Sequence, residues 1–230
     1  MAFWTRKTTL IGRGAYAKVK KVKAKPGAKQ RVIKTIPFQL TREQATRAVE
    51  AVREFRSALK REQIPTISTG VYAIKKGNSY RLSMIQQFVP KEKMLGSFLK
   101  KCSSQEAIWA YEEVTKLFEK IMQINKTQET LGADFVTSNL AVIDGKLTLL
   151  DIFPPLTPNA KKTTEEIGIR QNIRTIKALR KKIKDKFNPQ KITLKEKRRK
   201  KFVKLTSKFI QLRPELRDQI LSIAAQVKVP

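Results

Sequence analysis

The hydrophobic pattern of this 230-residue chain passes from mostly strand-like to mostly helical near residue 89, and that change limits the folds open to it. Before that point, short apolar runs broken by turn residues read as strands at 8–11, 15–23, 30–36, 70–75 and 80–88. Pro26-Gly27 and Gly77-Asn78 supply two of the turns. One helix interrupts the series, capped by Thr41 and running to about residue 62, with Ala45, Ala48, Val49, Val52, Phe55 and Leu59 on one face. Beyond Val89-Pro90 the period becomes helical over 104–125 and 164–186, and from about Thr193 onward, with Pro214 opening the last helix. A hairpin over 140–143 and 146–152 turns at Asp144-Gly145. The expected class is α+β, with a strand-rich unit at 1–89 and a helical unit at 90–230.

What is missing narrows the chemistry. The chain has no histidine, so any proton acceptor must be a carboxylate, lysine, tyrosine or water, and imidazole cannot ligate a metal. Cys102 is the only cysteine, which excludes an intrachain disulfide and fits a reducing compartment. No apolar run reaches the roughly 18 residues a membrane span needs, and the N-terminus lacks the apolar core of a signal peptide. A soluble, cytoplasmic protein is expected.

Three segments carry candidate chemistry. Ile11-Gly12-Arg13-Gly14 opens a turn between two strands, where glycines let backbone N–H groups approach phosphates; a plain glycine hairpin explains it equally well. Lys34 follows Val32-Ile33 in an apolar strand, which would hold its ammonium in a fixed direction. A carboxylate on the next helix should steady it: Glu54, with Glu50 one turn earlier as the competing assignment. The third segment is the most specific. Asp134 and Asn139 share one loop just before a strand, and Asp151 ends the returning strand. Asn139 and Asp151 would then converge with oxygen ligands suited to Mg²⁺, leaving Asp134 for the incoming nucleophile.

This ordered set of Gly12, Gly14, Val19, Lys34, Glu54, Asp134, Asn139 and Asp151 resembles the protein-kinase-like superfamily over roughly residues 9–155. The Asp-Phe loop and the Leu-Leu-Asp ending are most similar to RIO-type atypical kinases, with the aminoglycoside-phosphotransferase-like branch close behind. The resemblance implies a two-lobed fold, a strand-rich N-lobe and a helical C-lobe, using ATP with Mg²⁺ or Mn²⁺. It makes Asp134 the catalytic base, Asn139 and Asp151 the metal ligands, and Lys34 the phosphate contact paired with Glu54. Gly12, Gly14 and Val19 would cover the nucleotide, and Gln86 to Val89, including Gln87, would face adenine as a hinge. The sequence departs from the pattern at Ala17, at Gly132-Ala133 before the loop aspartate, and at Ile152-Phe153 after the metal aspartate. No long activation segment follows, as in the atypical branches. A catalytically weak scaffold of the same fold and a small-molecule kinase are the alternatives to a Ser/Thr-type protein kinase.

Charge suggests a partner. Fifty Lys and Arg against nineteen Asp and Glu give +31, a self-repelling field that an anionic partner would screen. Fourteen of the cations fall between Lys177 and Lys204, the densest run being Lys197, Arg198, Arg199, Lys200 and Lys201. RNA, DNA or a ribosome is the expected partner, ahead of an anionic membrane surface, with contacts to phosphates rather than bases. A chain poor in carboxylates suits a phosphorylated, acidic or RNA-associated acceptor with a hydroxyl nucleophile better than a cationic small molecule, and a protein acceptor is expected.

Overall fold

A computed structural model describes residues 8–13, 18–23, 27–36, 39–124, 135–152 and 194–227. The strand-rich part forms β1 (Thr8–Arg13), β2 (Lys18–Val22), β3 (Arg31–Thr35), β4 (Thr69–Lys76) and β5 (Ser79–Gln87), with α1 (Arg42–Arg61) between β3 and β4. These strands make one antiparallel sheet in the order β1-β2-β3-β5-β4. The expected five strands and single helix are all present.

Helix α1 begins where the sequence places it. Thr41 accepts from the Gln44 N–H while the Gln44 side chain accepts from the Thr41 N–H, a reciprocal capping box. Its face of Ala45, Ala48, Val52, Phe55 and Leu59 is buried against Val71, Leu82 and Met84 of the sheet.

After β5, α2 (Leu95–Phe98) is a short turn of helix that periodicity did not announce, being too brief to show a period. Next come α3 (Ser104–Ile124), the hairpin β6 (Leu140–Ile143) and β7 (Lys146–Leu149), then α4 (Leu194–Leu212) and α5 (Arg217–Gln226). Asp144 and Gly145 both take positive φ, 50° and 70°, as a two-residue hairpin turn of this hand requires. Pro214 opens a single 3₁₀ turn, and α5 starts only after it. The helix expected over 164–186 lies outside the described residues.

One apolar cluster runs through α1, the sheet, α3, the hairpin, α4 and α5, so the core is continuous across residues 89 and 90. No described helix is long and apolar enough to cross a membrane.

Candidate active site

Strand register assembles the first part of the site. Gly12 is opposite Val19, Val19 is opposite Lys34, and Lys34 is opposite Met84, so these residues form one row across β1, β2, β3 and β5. Opposed residues share a face of a sheet, which puts Val19 beside Lys34. The pairing of β1 with β2 shifts register between Leu10 and Gly12, the irregularity expected where a glycine turn is approached. Gly14 lies outside the described residues.

The hairpin brings in the second part. Leu150 N–H donates to the Asn139 carbonyl at 2.9 Å, extending the β6–β7 ladder by one step and holding Asn139 next to the segment that carries Asp151. Asp151 is gripped on either side, since Leu149 and Ile152 are both fully buried. Ile152 thus acts as a core anchor directly after Asp151. Phe135, directly after Asp134 in the chain, packs its ring 5.1 Å from that of Phe118 on α3. Asp134 itself lies outside the described residues.

The two parts meet. Lys34 Nζ is 2.8 Å from Asp151 Oδ1, with the side chains only 14% and 18% exposed. Such a pair is partly desolvated, where charge attraction is stronger than at an open surface. Glu54, expected to steady Lys34, is solvent-exposed on α1, as is Glu50. The carboxylate that meets Lys34 in this structure is Asp151.

The junction after β5 differs in detail from the expected hinge. Gln87 is exposed and its N–H donates to Ser68 O, while the Phe88 N–H donates to Gln30 O. Those two amides are therefore used within the protein. Val89 is buried against Ile67 and Ala141.

Gln86 has a part that sequence reasoning missed. Its Nε2 donates both to Thr69 Oγ1 and to the Leu150 carbonyl, each at 3.1 Å, tying β5 to the residue before Asp151. The only available signal was a polar residue directly after the apolar pair Met84-Ile85. Nearby, Leu149 N–H donates to Pro65 O and Ile67 N–H to Leu149 O, so the segment before β4 pairs with the end of β7.

The basic run on α4 needs correction. Arg198 is 4% exposed and sits on the stripe of Phe202, Leu205 and Phe209 that faces the core. Burial pushes its pKa down. Five successive residues turn more than once around a helix at 3.6 residues per turn, so such a run cannot present one face. Arg199, Lys200 and Lys201 are exposed; the side chain of Lys197 lies outside the described residues.

Asp151 sets a carboxylate beside the Lys34 ammonium, and the backbone of Asn139 is bonded to Leu150, the residue before Asp151; an amide and a carboxylate are oxygen donors of the type a hard divalent cation takes. The sequence matches the family of unknown function DUF6206 over residues 5–226, and the chain belongs to that family. No curated protein matches it.

Proposed function

We propose that this DUF6206 member is an ATP-dependent phosphotransferase of the protein-kinase-like fold, moving the γ-phosphoryl group to a hydroxyl acceptor, with a protein as the favoured acceptor. The observation that carries the reading is the 2.8 Å contact of Lys34 with Asp151, residues half a chain apart. A lysine on the third strand and an aspartate after a catalytic-loop hairpin are the pair that positions phosphates and metal in kinases. The strand order, with one helix between β3 and β4, agrees with that reading.

Each residue then has a task. Lys34 supplies a charge-assisted contact to nucleotide phosphate, which requires its ammonium to be shared with, or released from, Asp151. Asn139 and Asp151 would hold Mg²⁺, which when bound neutralises charge on the phosphates. Asp134 takes the proton of the acceptor hydroxyl as the new P–O bond forms and the bond to the β-phosphate oxygen breaks. Phe135, the residue after Asp134 in the chain, is itself anchored on Phe118.

The test is single-turnover transfer from labelled ATP, to the protein itself or to proteins of a host lysate, alongside nucleotide binding. Asp151→Asn should abolish metal-dependent transfer. Asp134→Asn should slow transfer by about 10²–10⁴-fold with little change in ATP affinity. Lys34→Met should weaken both. A parent protein that binds Mg²⁺–ATP and transfers to no acceptor would make the chain a scaffold, and one that binds no nucleotide would end the reading altogether.

A further inference from the structure

The C-terminal half of α1, the segment after it and the start of β7 enclose a groove of about 580 Å³. Arg53, Arg56 and Lys60 lie along one wall at helical spacing, Pro65 and Thr66 form the floor, and Lys146 closes the far side. Four cations thus converge from two separate stretches of chain, and no carboxylate is among the described lining residues. Arg53, Lys60 and Lys146 are exposed, so their charges are available to solvent. Arg56 is half-buried because its Nη1 donates to the Thr69 carbonyl, which aims the rest of the guanidinium.

We propose that this groove binds the phosphate backbone of a single-stranded nucleic acid. Guanidinium groups meet phosphate oxygens in pairs, and lysines add point charges, so a row of both suits a chain of phosphates. The lining has no aromatic ring on which a base could stack, so recognition is of backbone and not of sequence. The lining includes Ile64 and Pro65, but Ile64 is buried and no large exposed apolar side chain stands there to insert into a bilayer. The C-terminal end of the α1 dipole opposes an anion, but it amounts to about half a charge against four full ones. The long-range field of a +31 chain brings the same kind of ligand to the surface. This inference stands apart from the phosphotransfer reading, because no residue of the groove belongs to the Lys34–Asp151 site.

The experiment measures anisotropy of a fluorescein-labelled oligouridylate with the full chain at several salt concentrations. Neutralising Arg53, Lys60 and Lys146 together (Arg53→Gln, Lys60→Gln, Lys146→Gln) should cost about tenfold or more in affinity at low salt. It should also reduce the slope of log affinity against log salt by about 2, since each single-strand phosphate contributes about 0.7. Arg199→Gln with Lys200→Gln on α4 should change the slope less. In the unaltered protein, the oligonucleotide should protect Lys60 and Lys146 from acetylation, a reading independent of how any variant folds. An unchanged slope, equal losses in the α4 variant, or unprotected lysines would overturn the proposal. So would binding to phosphatidylserine vesicles or polyglutamate that matches the oligonucleotide and is lost in the same triple variant.

Discussion

Lys34 and Asp151 show how a single contact divides structural from chemical roles. Both side chains are largely shielded, so removing one charge leaves the other in a partly desolvated place without its counter-ion. Lys34→Met should lower unfolding free energy by about 1–3 kcal/mol, and a double-mutant cycle with Asp151→Asn should give a coupling of at least ~0.5 kcal/mol. Denaturant titration of the four proteins measures it. Near-zero coupling would mean that the pair contributes nothing to the resting fold. A second residue-scale device has a pH signature. Ser103, directly before α3, donates its backbone N–H and its hydroxyl to Glu106 Oε2 at 2.7 and 2.8 Å. The backbone N–H first, and then the hydroxyl, hold the Glu106 carboxyl below its ordinary value of 4.5. A depressed folded value means that the contribution is complete above the ordinary range and is lost as pH falls through the depressed one. Carboxyl NMR titration should therefore find Glu106 titrating late on acidification, and Ser103→Ala should return it toward the ordinary value. Ser103-x-x-Glu106 has the spacing of a capping box, which the period over 104–125 did not bring out. Arg213 was not readable. It donates to the carbonyls of Leu99, Cys102 and Ser103 and to Ser104 Oγ, yet nothing in its neighbours marks it out among fifty cations.

Among the elements, α3 is the central post. Phe118 touches Phe135 from the loop and Phe202 from α4, with ring centroids 5.1 and 5.2 Å apart. Tyr111, two turns earlier, stacks edge-on with Phe209 at 4.9 Å and shares a hydrogen bond with Thr206 at 2.7 Å. Phe118→Ala should cost about 3–5 kcal/mol, because a fully buried ring leaves a cavity between three elements. Thr41→Ala, which removes the α1 cap, should cost about 1 kcal/mol. Urea midpoints will rank the two, and the reverse order would mean that α3 is not what holds the loop. Most elements were legible because their period and caps are local properties: α1 starts at Thr41 and the hairpin turns at Asp144-Gly145 as the residues dictate. Within the Lys197–Lys201 run Arg198 was misread, because charge density was taken without its helical phase, which turns Arg198 inward while Arg199, Lys200 and Lys201 stay exposed. Lys34 and Asp151 were each legible as members of an ordered motif, but their contact was not: the sequence pointed to Glu54 as the partner of Lys34, and pairing across the sheet and hairpin is settled by tertiary packing.

At the scale of the whole molecule, two connections besides the Lys34–Asp151 pair tie the sheet side to the hairpin among the described residues. Pro65 and Ile67 bracket Leu149 through two backbone bonds, and Gln86 reaches Leu150. Gln86→Leu should leave the Leu150 carbonyl without this donor and cost about 1–3 kcal/mol. If the joint acts as a unit, amide exchange at Ile67 and Leu149 should quicken by roughly tenfold or more, the equivalent of 1.4 kcal/mol. Unaltered exchange at both amides would show the two connections to be independent.

The joint also sets an order in time. The β1–β2–β3 pairings are between near neighbours in the chain, whereas Thr66 with Leu149, and Lys34 with Asp151, close loops of a third of the chain or more. Long closures lose more chain entropy and are made after local ones. A nascent chain can therefore pair its first strands while still emerging, but it has no Lys34–Asp151 contact until the hairpin has left the ribosome. The Lys34–Asp151 contact thus arrives with the far half of the polypeptide, and a chain halted before β7 would hold Lys34 without the carboxylate it meets.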